Sequence, residues 1–341
     1  METIILEQPG SFRLTESEPP GQPGPGQALL QVRRVGICGT DLHAFRGRQP
    51  YFSYPRILGH ELAVEILALG PTEDERGLQA GDICCVEPYL NCGHCIACRA
   101  GKTNCCTSLQ TLGVHTDGGM RRQVILPLNK LHLAEGVPLD HLAIVEMLCI
   151  GAHAARRAEP APGEWALVIG VGPIGLSTAQ AAKLRGAQVI AMDISESRLD
   201  FCRSQLGIEH TINAQGDPIA QLQAILAGDM PTLVFDATGH AGSMMNAFKL
   251  VAHGGRLVLV GLVQDSITFS DPDFHSHELT VMSSRNATGQ DFAWVIEQLQ
   301  AGRINLSPWI THQAGPAELV SEFPSWLEPE RGVIKAMLTF D

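Results

Sequence analysis

The sequence predicts an α/β protein with two domains. Its first 145 residues or so contain short apolar runs separated by glycine and proline turns, which is typical of a small β-barrel or sandwich with long loops. From Trp165 onward, apolar runs alternate with helical segments, which indicates βαβ units and a doubly wound parallel sheet. A length of 341 residues suits two domains of ordinary size.

The order of elements follows from these patterns. Strands of the first domain are predicted at 28–32, 61–67 and 83–86, between turns at 23–26, 69–71 and 80–82. Later strands are predicted at 166–169, 188–193, 232–236, 256–260, 279–283 and 333–340, with helices at 174–185, 243–252 and 292–300. The predicted domains are 1–150 with a lobe at 87–107, then 151–290, and then 291–341 as a return to the first domain.

Composition excludes several classes of function. A net charge of -12 argues against nucleic acid or an anionic membrane as the main partner. The N-terminus has neither a basic segment nor a long apolar one, and no apolar run reaches the roughly 18 residues that a membrane span needs, so the cytoplasm is the predicted location. Ten cysteines in a chain of this size without a predicted secretion signal indicate metal ligands and core thiols rather than disulfides.

Four cysteines in one loop predict a closed metal site. They are Cys92, Cys95, Cys98 and Cys106. The two-residue gaps allow tight turns to bring sulfurs to one ion, and the seven-residue loop returns the fourth. Four thiolates favour Zn(II) and leave no position for substrate, so this metal is predicted to be structural. Cys105 is an alternative fourth ligand, and core thiols or disulfides are the other interpretation.

A glycine-rich turn predicts a dinucleotide site. Gly170, Gly172, Pro173, Ile174 and Gly175 form the pattern G-x-G-x-x-G directly after a strand and at the start of a helix. Gly170 allows the tight turn, Gly172 lets a pyrophosphate approach the backbone, and Gly175 lets the helix pack on the strand. The helix N-terminus then offers N–H groups and a positive dipole to the phosphates.

The acid at the end of the next strand favours NAD over NADP. Asp193 lies 18 residues after Gly175, where a carboxylate accepts hydrogen bonds from the ribose hydroxyls and repels a 2′-phosphate. Arg198 keeps NADP open, because a nearby arginine accommodates such a phosphate. Its other interpretations are a solvated helix residue and a residue that stacks on adenine.

Since a closed site leaves no room for chemistry, a second, open metal site is expected elsewhere. Cys38, His60 and Glu146 supply a thiolate, an imidazole and a carboxylate, which suit a three-ligand zinc site. Glu146 stands in an apolar run, where a carboxylate is costly unless it is paired or bound to metal. Spacing alone does not bring these residues together, and each is otherwise a core residue.

Together these motifs resemble the zinc-dependent medium-chain dehydrogenase/reductase superfamily, in its polyol (sorbitol-like) branch. The resemblance runs along the whole chain and rests on 36–43, 59–61, the four-cysteine loop, 170–175 and Asp193. It implies a GroES-like catalytic barrel, a Rossmann domain that binds NAD, and two zinc ions, one catalytic and one structural. It also implies hydride transfer from a secondary alcohol to NAD.

The resemblance also implies roles around the catalytic zinc. The residues at the positions of Cys38, His60 and Glu146 bind that ion. Glu61 is a nearby carboxylate that hydrogen-bonds its water or exchanges onto the metal, and Asp41 is an acid that orients the zinc-bound histidine.

Two further implications concern proton transfer and the third ligand. Thr40 and His43 carry the alcohol proton to the surface, where a histidine with a near-neutral pKa suits the task. The branch has Glu followed by Pro, whereas Met147 follows Glu146 here, so Cys149 is a substitute ligand.

The loops after the last strands resemble those that contact nicotinamide and substrate. They contribute Val260, Gly261 and Leu262, and then Ser284 and Arg285. Arg285 is a candidate for holding a hydroxyl or carboxylate of the substrate, with a surface ion pair as the other interpretation. The predicted substrate is a polyol, a sugar or a sugar acid; segment 274–286 resembles enzymes of aldonic acids such as L-galactonate, and also the threonine dehydrogenase branch.

Two other classes are less consistent with the sequence. A zinc-free NADPH:quinone reductase on this fold would lack Cys38, His60 and Glu146, and a non-enzymatic nucleotide-binding protein would have lost a ligand or the glycine motif. A homodimer or homotetramer is predicted, because the family that the chain resembles forms such assemblies. The predicted partner is a small-molecule alcohol, with no nucleic acid and no membrane.

Overall fold

The computed structural model describes residues 1–49 and 52–341. They form two compact units, Met1–Met147 with Thr288–Asp341, and Leu148–Ala287. The strands are β1 (Glu2–Gln8), β2 (Ser11–Glu16), β3 (Gln27–Ile37), β4 (Glu61–Leu69), β5 (Ile83–Val86), β6 (Tyr89–Leu90), β7 (Gln110–Thr111), β8 (Gln123–Pro127), β9 (Leu131–Leu133), β10 (Trp165–Ile169), β11 (Gln188–Asp193), β12 (His210–Asn213), β13 (Leu233–Asp236), β14 (Arg256–Leu259), β15 (Thr280–Ser283), β16 (Ile310–Ala314) and β17 (Lys335–Thr339). The helices are α1 (Gly39–Phe45), α2 (Ile96–Arg99), α3 (Leu139–Ala143), α4 (Val145–Ala158), α5 (Pro173–Leu184), α6 (Glu196–Leu206), α7 (Pro218–Ile225), α8 (Ala241–Ala247), α9 (Asp271–Ser276), α10 (Gly289–Gln300) and α11 (Pro316–Glu322).

The first unit is built around a mixed sheet in the order β16-β17-β3-β4-β5-β9, with β8 also paired to β3. β3 lies at its centre, because it pairs antiparallel with β4, β8 and β17. Alternate side chains along a strand point to opposite faces, and Ala28, Leu30 and Val32 are accordingly buried in the core. The end of β3 thus has a fixed place beside the starts of β4 and β17.

The second unit contains a parallel sheet in the order β12-β11-β10-β13-β14-β15. β10 is buried from Ala166 to Ile169, as expected for a parallel strand covered on both faces. Strand order reverses at β10, since β11 lies on one side of it and β13 on the other. Ligands of such sheets bind at the carboxyl ends of the strands beside this point.

Several predicted elements differ in extent from the observed ones. The helix predicted at 243–252 is observed as α8 followed by a tighter turn at Phe248–Leu250. The helix predicted from 292 begins at Gly289, where Thr288 and Asp291 form a capping box. Among the described residues, none of the helices has the length and apolar character to cross a membrane. The domain limits given above stay a prediction.

Candidate active site

The four-cysteine loop folds into a compact thiol cluster. The ligand atoms of Cys92, Cys95, Cys98 and Cys106 all lie within 4.8 Å of one another. Backbone N–H groups point at the sulfurs: that of Cys92 donates to Cys106 Sγ at 3.3 Å, and that of Cys95 to Cys92 Sγ at 3.4 Å. The backbone N–H of Cys98 caps Cys95 Sγ and lowers the pKa of that thiol to about 5, which favours the thiolate that binds metal.

The thiol cluster fits a tetrahedral zinc ion, because four soft donors converge and backbone N–H groups lower the pKa of two of them, Cys92 and Cys95. Cys105 is exposed and is not part of it, so the geometry favours Cys106 as the fourth ligand.

A second group of possible ligands lies where β3 and β4 meet. The ligand atoms of Cys38, His60 and Glu61 lie within 4.8 Å of one another. Cys38 follows β3 and precedes α1, while Glu61 begins β4 opposite Gly36 of β3. A Cβ on Gly36 would clash with the Glu61 carboxylate, so this register needs glycine there. The pairing of β3 with β4 therefore brings residues 22 positions apart into one cluster.

His60 is surrounded by negatively charged side chains. Burial lowers its pKa, but the Cys38 thiolate and the carboxylates of Asp41 and Glu146 outweigh burial and raise the pKa well above its ordinary value. Asp41 accepts a hydrogen bond from the Cys38 backbone N–H at 2.8 Å, and its other oxygen lies 3.9 Å from His60 Nδ1. Within the described residues, both of these facing atoms are buried and have no hydrogen-bond partner. A metal cation would balance the negative charge around this ring.

Two carboxylates compete for the third ligand position. Glu61 belongs to the cluster, but both of its oxygens accept hydrogen bonds from Lys335 Nζ, at 2.7 and 2.8 Å. Glu146 is buried outside the three-residue cluster and accepts a hydrogen bond from the Tyr89 hydroxyl. Burial raises the pKa of Glu146, although His60 opposes the shift. The assignment of Glu146 as a ligand stays a prediction.

Three further residues were predicted to act at the catalytic metal site: Thr40, His43 and Cys149. Thr40 is half-buried and His43 is exposed, and both are on α1, which starts directly after Cys38. Partial burial, with the charges of Arg46 and Arg48, lowers the pKa of His43, so the ring is neutral and able to accept a proton near pH 7. Cys149 belongs to the second unit and to neither ligand group found among the described residues.

The glycine-rich turn of the second unit is as tight as the sequence predicts. Gly170 has a φ of 80°, and a Cβ on it would lie 2.7 Å from Thr238 Cγ2. A Cβ on Gly175 would clash with the Gly170 carbonyl, so the helix can pack on the strand only with glycine there. α5 then begins with Pro173 and Ile174 after Gly172 as its N-cap. This arrangement leaves the first N–H groups of α5 available to an anion.

Asp193 ends β11 beside this turn. Its carboxylate accepts hydrogen bonds from the backbone N–H groups of Val171 at 2.8 Å and Ser195 at 2.9 Å. These two bonds fix the carboxylate and leave lone pairs free for ribose hydroxyls. Arg198 Nη1 lies 2.9 Å from where a Cβ of Gly172 would be, so its guanidinium lies over the turn.

The loops after β14 and β15 also suit a bound cofactor. A Cβ on Gly261 would clash with the backbone of Gly239, and the following Leu262 is 71% exposed. Ser284 directly follows β15, and its Oγ is buried without a hydrogen-bond partner among the described residues. The Ser284 hydroxyl is therefore available to hydrogen-bond a polar group. Val260 is buried and Arg285 is exposed.

Comparisons with known proteins agree with this geometry. Residues 24–136 match the alcohol dehydrogenase GroES-like domain, and residues 173–301 match the zinc-binding dehydrogenase family. The chain is 41% identical to L-galactonate-5-dehydrogenase of Escherichia coli K12, over 100% of this chain and 99% of that protein. It is 31% identical to 2-dehydro-3-deoxy-L-galactonate 5-dehydrogenase of Pseudoalteromonas atlantica, over 88% of each.

A solved structure shares the fold along the full length. It is a short chain alcohol dehydrogenase from Escherichia coli CFT073 complexed with NADH, with a TM-score of 0.91, 31% identity, and coverage of 100% of this chain and 99% of that one. The chain belongs to the zinc-dependent medium-chain dehydrogenase/reductase superfamily. Within that superfamily it falls in the branch of polyol and sugar-acid dehydrogenases. The predicted fold class and the predicted zinc-type dehydrogenase activity are therefore confirmed.

Proposed function

We propose that this chain oxidises a secondary alcohol of a sugar acid and transfers the hydride to NAD. The observation that carries the proposal is the cluster of half-buried Cys38 with buried His60 and Glu61, in a chain that is similar, from end to end, to an L-galactonate-5-dehydrogenase. A zinc ion held there would supply Lewis acidity toward the alcohol oxygen, and NAD would supply the hydride acceptor.

The residues of this chain would prepare that chemistry. Asp41 Oδ1 lies 3.9 Å from His60 Nδ1 and would orient the ring, which would leave Nε2 to bind the metal. Cys38 and one of the two carboxylates, Glu61 or Glu146, would complete the ligand set. The Thr40 hydroxyl would take the alcohol proton toward His43, whose lowered pKa keeps it neutral and able to accept.

A sugar acid is favoured over a neutral polyol because the relatives reported above act on galactonate-type acids. Arg285 is the candidate that would bind the substrate carboxylate. Val260, Gly261, Leu262 and Ser284 would line the nicotinamide side, and Gly172 to Gly175 with Arg198 the phosphate side. Two zinc ions per chain are proposed, the second in the thiol cluster.

Substrate preference tests the proposal directly. In assays of NADH absorbance with L-galactonate, L-idonate, galactitol and L-threonine, we expect kcat/KM to be at least about tenfold higher for one of the hexonates, since one charge-assisted hydrogen bond contributes that much. Arg285→Gln should remove this preference and leave the rate with galactitol unchanged. Faster turnover of L-threonine would instead assign the chain to the amino-acid alternative.

Asp193 sets the preference for NAD. Asp193→Ala should lower the ratio of kcat/KM for NAD over NADP by about 10- to 100-fold, because two ribose hydrogen bonds and the repulsion of a 2′-phosphate are lost. Glu196→Ala is the matched control, because this exposed carboxylate accepts a hydrogen bond from Arg203 and is not part of the predicted ribose site. An unchanged ratio in Asp193→Ala would contradict the assignment.

A second copy of the chain is the proposed assembly partner. β15 is the last strand of the parallel sheet, and Val281 on it is 38% exposed. An open strand edge with an apolar side chain favours pairing with the same strand of a twofold-related copy. Sedimentation velocity distinguishes the proposed homodimer from a homotetramer. None of the ten cysteines is in a disulfide, which is consistent with the cytoplasm as the proposed location.

A further inference from the structure

A short segment of the first unit contains a cysteine of the thiol cluster and a tyrosine that hydrogen-bonds Glu146. It runs from Glu87 to Cys92 and includes β6. Cys92 is a member of the thiol cluster, and Tyr89 donates a hydrogen bond to Glu146. Asn91 lies between these two residues in the sequence. The segment is therefore a direct covalent connection between a cysteine of the thiol cluster and the residue that contacts Glu146, since Tyr89 and Cys92 are three positions apart.

The contact between Tyr89 and Glu146 is buried. Tyr89 is 2% exposed and Glu146 is 5% exposed, and they are 57 positions apart in the sequence. A buried carboxylate needs partners, and the Tyr89 hydroxyl supplies one on the side of the Glu87–Cys92 segment. Groups that hydrogen-bond a metal ligand fix its orientation, and their loss typically weakens metal binding 10- to 100-fold. Tyr89 is therefore placed to set the orientation of Glu146.

A polar network ties the same segment to the thiol cluster. Asn91 Nδ2 points at Cys98 Sγ at 3.6 Å, and Asn91 Oδ1 accepts a hydrogen bond from Lys130 Nζ at 2.8 Å. Lys130 is 6% exposed and also donates to Glu87 Oε1 at 2.7 Å. The ammonium group polarises the Asn91 amide, which strengthens its N–H as a donor to sulfur. The network thus holds Glu87 at one end of the Glu87–Cys92 segment and Asn91 near the other, and it ties Asn91 to a thiol of the cluster.

Glu87, Tyr89 and Asn91 alternate along the segment, and each hydrogen-bonds a buried side chain. The partner is Lys130 for Glu87 and Asn91, and Glu146 for Tyr89. The paired strands β6 and β7 keep this spacing, because Tyr89 lies opposite Thr111 and Leu90 opposite Gln110. A change in the thiol loop would act on Asn91 and Cys92 first. Since the segment is short and extended, such a change reaches Tyr89 within two or three residues.

We propose that the thiol cluster positions Tyr89, and that Tyr89 holds Glu146 in the catalytic metal site, so that metal binding at the two sites is coupled. The inference rests on the proposed function only in taking the Cys38, His60 and Glu61 group with Glu146 as the catalytic metal site. In this arrangement Tyr89 is a positioning residue, and the metal in the thiol cluster has an effect beyond local stability.

Release of zinc to a chelator tests the role of Tyr89. The purified protein is mixed with excess chelator and a zinc indicator, and the release phases are assigned with Cys38→Ala and Cys95→Ser, each of which removes one site. Tyr89→Phe keeps the ring and removes the hydroxyl, so we expect the catalytic-site phase to become about 10- to 100-fold faster. The phase from the thiol cluster should change much less, because Tyr89 hydrogen-bonds Glu146 directly and reaches the cluster only through Leu90 and Asn91. Tyr54→Phe is the matched control, because its hydroxyl donates to the Ala44 carbonyl at 2.6 Å; it should leave both phases unchanged.

A double-variant comparison tests the coupling. Asn91→Ala should speed zinc loss from the catalytic site severalfold when Tyr89 is present, and should add nothing in the Tyr89→Phe background. Asn91→Ser, which retains a small hydroxyl donor, is the second variant if the alanine form does not fold. An equal effect of the Asn91 change in both backgrounds would overturn the coupling through Tyr89. An unchanged catalytic-site phase in Tyr89→Phe would overturn the positioning role itself.

Zinc release needs neither substrate nor NAD. A chain without activity on sugar acids that still shows the expected release pattern would overturn the proposed substrate and leave the coupling in place. A fully active chain whose release rates are insensitive to Tyr89→Phe would overturn the coupling alone.

Discussion

Cys38→Ala and His60→Ala are each expected to lower kcat with a sugar acid by at least about 1000-fold. Loss of a ligand removes the Lewis acid that stabilises developing negative charge on the alcohol oxygen, and such stabilisation amounts to several kcal/mol. The rest of the fold should persist, because Cys38 and His60 lie at the ends of β3 and β4 rather than in the interior of the sheet. Initial rates from NADH absorbance and zinc content per chain are the two measurements.

Cys202→Ala is the matched control for Cys38→Ala. Cys202 is a buried thiol in the second unit and belongs to neither ligand group among the described residues. We expect it to retain its zinc and most of its activity. Full activity in Cys38→Ala or His60→Ala, at unchanged zinc content, would contradict the catalytic assignment of the cluster.

The thiol cluster could be predicted from sequence because its geometry is local. Its members lie within 15 residues, and turns of fixed length decide which sulfurs meet. Cys106 was predicted as the fourth ligand, but spacing alone could not exclude the adjacent Cys105. It depends on the turn at Thr103–Cys105, which leaves Cys105 exposed and Cys106 buried.

The parallel sheet was predictable where strands are apolar and end in a recognisable motif. β11 was predicted at its observed bounds, and the turn at Gly170 occupies its predicted place. α6, β12 and α7 have weaker sequence signals. α6 buries only Leu199, Cys202 and Leu206, and β12 has four residues, so neither element has a long apolar pattern.

The partners of Glu61 and Glu146 could not be predicted, because they are distant in sequence. Lys335 reaches Glu61 from β17, 274 positions away, and only the pairing of β17 with β3 and of β3 with β4 brings them together. No motif of the sequence marks Tyr89 as a partner of Glu146. Sequence spacing identifies the ligand types, whereas long-range sheet pairing decides which carboxylate is held by which partner.

Lys335→Met is expected to destabilise the first unit by about 3–5 kcal/mol, because it leaves the Glu61 carboxylate buried without its cation. Lys335 is 2% exposed and Glu61 is fully buried, and Lys335 Nζ also donates to the Ile37 carbonyl at 3.2 Å. Water is therefore unable to replace the ammonium group. Hydrogen exchange of the β3, β4 and β17 amides, compared with those of the second unit, measures the effect where it arises.

Two further variants separate the lost charge pair from lost packing. Lys249→Met replaces an exposed lysine of the second unit and should change stability by less than about 0.5 kcal/mol. Glu61→Gln combined with Lys335→Met removes both charges, so it should recover most of the stability that Lys335→Met loses. If the single Lys335→Met change leaves exchange of β3 and β4 as slow as in the unaltered chain, Glu61 does not depend on this lysine.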